Sequence, residues 1–289
     1  MISSGRLKQL LKVWLPPIIL DSARVMLNAS SRPVKDEGFQ EFECLGLRWR
    51  LDMASAISRS MVRTGVWERE TTNAVLDLVK PGMRVLAVGA NFGYYALLMA
   101  QRVGRGGRVW AFEPTLKFRE QLNWHVKTNG FADLVTIVPF GLSDSVQSVT
   151  IEIMSQSASL HFPPNLPRVG SEVVHLKPLD AVASELGIEK IDFIQMDIDG
   201  HEVAFVRGAR QTLSTHLPPI AMEFAQSCLH FAGSDVRELA ALLRELGYDI
   251  CSEKTKKPYK NEFEFLLDCG NFDRYSNALA MPRERNGHL

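Results

Sequence analysis

Residues 81–93 read Pro-Gly-Met-Arg-Val-Leu-Ala-Val-Gly-Ala-Asn-Phe-Gly. The run 85–88 is apolar and rich in β-branched types, the composition of a buried parallel strand. Gly89 and Gly93 follow it, and glycines there let a backbone approach a ligand that a side chain would exclude. A helix starting at Tyr94 offers unpaired N–H groups to a carboxylate or phosphate. The next apolar run, 108–112, ends in Glu113, 20 residues after Gly93. A carboxylate at that spacing, on the second strand tip, accepts from ribose hydroxyls. The dinucleotide fingerprint G-x-G-x-x-G fails at its second glycine, because Ala90 and Asn91 follow Gly89. That glycine admits a pyrophosphate, so the pattern favours an adenosyl ligand without one, such as S-adenosylmethionine, over NAD. A tight strand-to-helix turn with no ligand is the plainer alternative.

A second group of reactive side chains, Asp197-Ile-Asp199-Gly-His201-Glu202, follows the apolar run 191–196. In an open α/β sheet the carboxyl end of that strand lies beside the first and faces the same ligand. Methyl transfer from a sulfonium is an in-line displacement. A hydroxyl acceptor, with a pKa on the order of 15 like water, then needs a base or a metal ion. His201 is the preferred base, since a helix start disfavours imidazolium and keeps the ring able to accept a proton. Asp197 or Asp199 would orient it. A second reading makes Asp197, Asp199 and Glu202, with Glu223, oxygen ligands for Mg²⁺. The plainest is that Asp199 and Glu202 cap the helix.

The chain has 289 residues, 46% hydrophobic and 23% charged, with formal net charge zero. That suits one large α/β domain with an N-terminal extension. No basic stripe argues for nucleic acid. Cys44, Cys228, Cys251 and Cys269 lack zinc spacing, and reduced thiols predict a cytoplasmic protein. Residues 7–20 are too short to span a bilayer and are broken by Pro16-Pro17, so no transmembrane segment is expected. With Lys8, Lys12 and Trp14 they could rest on a membrane surface; packing on the domain is the simpler reading.

The elements that must position these groups alternate. Residues 1–30 read as helix with a Pro-Pro break, 31–38 as polar linker, and 39–52 as a hairpin around Gly46. Helix 67–79 leads to the first core strand. Helix 116–129 stops at Gly130, and strands follow at 135–139 and 148–154. Residues 155–171 are irregular, a candidate lid or recognition segment. Strand 191–196, helix 203–213 and strand 219–224 continue the alternation of a doubly wound sheet. Helix 234–246 carries an Asp235/Glu238 capping box and a face of Leu239, Leu242, Leu243 and Leu246. Residues 248–252 and 262–269 read as a closing strand pair, and 282–289 as a polar tail. The expected division is an extension at 1–60, one domain at 61–270 and a tail at 271–289.

Val-Gly-Ala-Asn-Phe-Gly-Tyr-Tyr (88–95), Ala-Phe-Glu-Pro (111–114) and Asp-Ile-Asp-Gly-His-Glu (197–202) together resemble the FkbM family of S-adenosylmethionine-dependent methyltransferases. Gly-Val-Trp-Glu (65–68), Arg207-Gly-Ala and Pro-Ile-Ala-Met-Glu-Phe (219–224) fit the same pattern, and the likeness covers about residues 61–270. It implies a class I methyltransferase fold, Rossmann-like, with a seven-stranded mostly parallel sheet and helices on both faces. It also implies O-methylation of a small-molecule or glycan hydroxyl on a sugar, polysaccharide or secondary metabolite. Carried over, Gly89, Ala90, Asn91, Gly93 and Tyr94 surround the methionine part of the cofactor, Glu113 the ribose, and Ser143 and Asp144 lie near the adenine. Glu68 is a further cofactor contact; Tyr94 and Tyr95 read equally as packing residues. Three departures stand out: Ala87 for a usual Asp, Gln195 for a usual Lys, and Asp199 for a usual Glu. Two other readings remain, a nicotinamide-dependent oxidoreductase on a similar sheet and a non-catalytic partner protein.

Overall fold

Four consecutive residues of the first core strand are almost wholly excluded from solvent, because both faces of the sheet are covered. Val85 and Ala87 enter one apolar layer, Leu86 and Val88 the other, which is why the strand reads as a continuous apolar run. The structure, a computed structural model, describes residues 38–154, 157–160, 168–272 and 275–283. The helix expected at 1–30, the linker up to residue 37 and the membrane-surface stretch 7–20 lie outside the described residues.

The described chain opens with the expected hairpin, β1 (Phe39–Cys44) and β2 (Leu47–Asp52), then helices α1 (Ala56–Thr64) and α2 (Arg69–Leu78). The alternation follows as β3 (Arg84–Val88), α3 (Tyr94–Val103), β4 (Arg108–Phe112), α4 (Leu116–Thr128) and β5 (Val135–Val138). A side sheet interrupts it: β6 (Gly141–Leu142), β7 (Gln147–Ile153), β8 (Ala158–Ser159) and β9 (Gly170–Lys177), in the order β6-β9-β7-β8. After α5 (Leu179–Val182) come β10 (Phe193–Met196), α6 (Glu202–Gly208), α7 (Arg210–His216) and β11 (Ile220–Glu223). The chain closes with α8 (Gln226–Phe231), α9 (Val236–Glu245), β12 (Tyr248–Ser252), α10 (Glu262–Cys269) and β13 (Asn277–Pro282).

The main sheet has the order β12-β13-β11-β10-β3-β4-β5. Pairs from β11 to β5 are parallel, and β13 is antiparallel to both its neighbours. This is the seven-stranded class I methyltransferase sheet that the resemblance implies. The chain leaves β3 toward β4 and β5, then returns to lay β10 on its other side. The crevice between the tips of β3 and β10 is thus the topological switch point, where such sheets bind ligands.

Three expectations are corrected. Residues 262–269 form a helix, not a strand: Asn261 Oδ1 caps it by accepting from Glu264 N at 2.9 Å, and Phe265 and Cys269 are buried one turn apart. The closing partner of β12 is instead β13, which lies in the segment expected as tail and sits between two strands of the sheet. The helix expected at 203–213 is broken at Ala209 into α6 and α7.

The hairpin docks on the domain through its backbone edge. Arg48 N donates to Asn129 Oδ1 (2.8 Å) while Asn129 Nδ2 donates to Arg48 O (2.8 Å), and Arg50 N donates to His125 Nε2 (2.9 Å). Trp49, fully buried, packs against the rings of Phe92, Tyr94 and His125. Because Nε2 of His125 accepts, its Nδ1 carries the hydrogen and donates to Phe92 O at 2.8 Å. Hairpin, α4 and the glycine loop are therefore tied through one neutral imidazole.

Candidate active site

The tips of three strands are stitched together by backbone. Asp197 N donates to Val88 O (3.0 Å), and Gly89 N and Ala90 N both donate to Phe112 O (3.1 and 2.9 Å). Gly89 has φ 78, and a Cβ on it would stand 1.9 Å from Asp197 O, so only glycine lets the tip of β10 come this close. Asn91 has φ 50 and its Oδ1 accepts from Phe92 N (2.7 Å), the local bond that lets asparagine tolerate left-handed backbone. Glu113 holds this loop: Oε2 accepts from Asn91 N (2.8 Å), and Oε1 from Thr115 N (2.9 Å) and Thr115 Oγ1 (2.6 Å). Burial raises its pKa and those bonds oppose the shift. Three of a carboxylate's roughly four acceptor positions are filled, which leaves one open.

Beside the loop opens a cleft. Its polar end brings together Gly89, Asn91, Glu113, Asp197, Asp199 and His201; its apolar wall includes Phe112, Phe118, Leu142, Ile151 and Leu176. Ser157 to Leu160, from the segment expected to be a lid, line it too, and Ser159 Oγ donates to Asp199 O at 3.3 Å. The remaining expected residues stand behind this lining. Ala90 is buried, and Gly93 starts α3 with its N donating to Ala90 O. The Tyr94 hydroxyl is held by Trp67 N and Thr72 Oγ1, both at 3.0 Å, as a packing residue would be. Ser143 Oγ lies 2.9 Å from His201 Nε2 and accepts from Gln147 Nε2 (3.1 Å), with exposed Asp144 beside it.

The carboxylates crowd. Glu202 is 1% exposed, and its Oε1 accepts from Ile198 N (3.2 Å) and Gly200 N (3.3 Å), closing the turn before α6. Burial pushes its pKa up to about 7 against those bonds. Asp199 sits in left-handed backbone (φ 50); burial, then the charge of Glu113, raises it to about 6. Asp197 is pushed well above the carboxylate range by burial and then by Asp199, Glu68 and Glu202. Glu223, at the end of β11, is shifted the same way by burial and by four neighbouring carboxylates. Glu68 (φ 42) accepts from the Tyr95 hydroxyl at 2.7 Å and from Asn277, and burial raises it. Among the described residues, no lysine or arginine forms an ion pair with any of these five.

Sequence reasoning missed Tyr95 as the partner of Glu68, and missed Asn277. Asn277 is the register partner of Glu223 across β11 and β13, a pairing no local pattern announces. The all-oxygen Mg²⁺ reading finds no support in the geometry. Glu202 turns to backbone, and the acidic or thiol donors that converge within 4.8 Å among the described residues are those of Asp199, Glu223 and Cys228.

The sequence profile described as methyltransferase FkbM domain matches residues 87–250, more than half of the chain. The chain belongs to the FkbM methyltransferase family. A curated relative, the AMB antimetabolite synthetase AmbE of Pseudomonas aeruginosa, is 24% identical over 210 residues, covering 60% of this chain. The chain spans about a tenth of that relative's length. Among solved structures it is similar to a methyltransferase FkbM from Methylobacillus flagellatus (18% identity, 72% of this chain and 50% of that one, TM-score 0.43). It is also similar to an O-methyltransferase from Bacillus cereus in complex with S-adenosylhomocysteine (13% identity, 74% and 80%, TM-score 0.43).

Two departures from the FkbM pattern turn out to be neighbours. Ala87 and Gln195 are register partners on β3 and β10, both buried. The aspartate and lysine that the resemblance implies at these positions would stand side by side on neighbouring strands. This member has a neutral pair in their place, so neither change strands a buried charge.

Proposed function

We propose that this FkbM protein is an S-adenosylmethionine-dependent O-methyltransferase acting on a hydroxyl of a sugar, polysaccharide or secondary metabolite. One observation carries the reading: two strand tips, one bearing Gly89 and Asn91 and the other Asp197, Asp199 and His201, line a single cleft. The cofactor, when bound, supplies an electrophilic methyl group on a positively charged sulfur. The residues suit it. Side-chain-free Gly89 admits a close ligand, the apolar wall accepts an adenine ring, and uncompensated carboxylates favour a cation over a pyrophosphate.

Glu113 and Asn91 take the ribose, and Ser143 and Asp144 the adenine side. Glu68 and Asp197 take the ammonium of the methionine part. Ala90, Gly93 and Tyr94 shape the loop from behind. His201, Asp197 and Asp199 are the groups able to receive a proton from an acceptor hydroxyl. Nε2 of His201 stands 2.9 Å from Ser143 Oγ, which fixes the ring beside the cleft. Glu202 keeps the turn that presents them. The relative named as an antimetabolite synthetase accords with a secondary-metabolite acceptor. A cytoplasmic setting is supported by four free cysteines, and among the described residues no helix is long and apolar enough to cross a membrane.

Calorimetric titration tests the donor. S-adenosylhomocysteine should bind with one site per chain and NADH should give no heat; the reverse order would overturn the reading.

A further inference from the structure

Behind the carboxylate side of the cleft stands a buried acceptor without a hydrogen-bond partner, and a thiol stands next to it. Glu223 is 9% exposed, and its Oε2 has no hydrogen-bond partner. Buried polar atoms are normally satisfied, so an orphan beside reactive groups calls for a ligand. Asp199 is presented by left-handed backbone (φ 50), a conformation that persists in a non-glycine residue only where its surroundings hold it. Gly200 (φ 98) holds it there. A Cβ on Gly200 would stand 2.4 Å from the carbonyl oxygen of Cys228, so the turn lies directly on α8. The result is that a carboxylate oxygen of Asp199, one of Glu223 and Sγ of Cys228 all lie within 4.8 Å of one another.

We propose that Asp199, Glu223 and Cys228 form a binding site for a thiophilic divalent transition-metal ion of the Zn²⁺ class. Two carboxylates and a thiolate carry three negative charges, and no lysine or arginine among the described residues pairs with either carboxylate; a divalent ion offsets most of that charge. A sulfur donor selects Zn²⁺ or Co²⁺ over Mg²⁺, which demands oxygen ligands in an octahedron. Three protein ligands with one position open is the arrangement of reactive rather than purely structural zinc centres. Asp199 also lines the cleft, which gives the ion its way in. Binding converts the Cys228 thiol to a metal-bound thiolate and releases its proton to solvent. The site shares Asp199 with the proposed methyl-transfer site, but its occupancy is measured without any methyl transfer.

The full chain, stripped with a chelator and kept reduced, is titrated with Co²⁺ while thiolate-to-cobalt charge-transfer absorption is followed in the near ultraviolet. The expected result is one Co²⁺ per chain, displaced by Zn²⁺ but not by Mg²⁺. Cys228→Ser abolishes the band, and Cys44→Ser leaves it unchanged. Glu223→Gln weakens Zn²⁺ binding at least about tenfold while circular dichroism stays native, which keeps the test sharp if Cys228→Ser fails to fold. No charge-transfer band in the wild type, a band that survives Cys228→Ser, or Mg²⁺ competing as well as Zn²⁺ would each overturn the site. Failure to bind S-adenosylhomocysteine would leave this result standing.

Discussion

The two halves of the cleft solve opposite problems. On the β3–β4 side the loop is held from within the protein: Glu113 holds the backbone of Asn91 and Thr115, and His125 holds Phe92 and Arg50. On the β10–β11 side, carboxylates from three separate segments meet with no lysine or arginine ion-paired to them among the described residues, and one oxygen of Glu223 has no partner. The first half is a preformed socket. The second is an electrostatic demand that a cationic ligand relieves. Folding alone is enough to set a loop, whereas a cluster of like charges is stable only against what it binds.

The contrast can be broken most severely at Gly89. A Cβ there meets the Asp197 carbonyl at 1.9 Å in positive-φ backbone. Gly89→Ala should therefore lower stability by about 4 kcal/mol and abolish binding of S-adenosylhomocysteine. Denaturant melts and calorimetry would show both, and a native melt would contradict the close approach of the two tips.

Next in size is Ala87→Asp, which buries one carboxylate without a partner and should cost about 3 kcal/mol. Adding Gln195→Lys should recover at least half of that, since the two positions are register partners. Strictly additive losses in the double-mutant cycle would show that they do not face each other.

The socket also predicts a pH signature. Burial lowers the pKa of His125 to about 4 from an ordinary 6.5. The unfolded chain then binds the extra proton first, so this contribution is whole above pH 6.5 and is lost as pH falls toward 4. It amounts to on the order of 3 kcal/mol. Carboxylates with raised pKa work in the opposite sense, so the quantity to measure is the wild-type stability curve minus that of His125→Gln. A flat difference between pH 7 and 4 would contradict the neutral, buried ring. Smallest is Thr115→Val, which removes one hydrogen bond from Glu113 and should weaken S-adenosylhomocysteine by about 1 kcal/mol, roughly fivefold in Kd.

The socket was legible in the sequence because its determinants are adjacent in the chain. Gly89, Asn91 and Gly93 follow an apolar strand, and Glu113 falls at the next strand tip. The acidic turn at 197–202 was legible for the same reason. What was not legible depends on distant partners. Strand β13 is recognisable only through its ladders to β11 and β12, and Asn277 reaches Glu68 because of that register. In helix α10, Phe263 and Phe265 alternate with acids, a strand-like pattern. The cap at Asn261 and the one-turn spacing of Phe265 and Cys269 are the local signals that decide for helix. Glu202 looked catalytic by its neighbours, yet its Oε1 is committed to backbone N–H groups, which only three-dimensional geometry reveals.

A crystal structure with S-adenosylhomocysteine tests the central account most directly. The adenine should lie against Phe112, Leu142, Ile151 and Leu176, the ribose at Glu113, and the sulfur between Asn91 and Asp197. A ligand bound elsewhere, or with its sulfur turned away from Asp197 and His201, would contradict it.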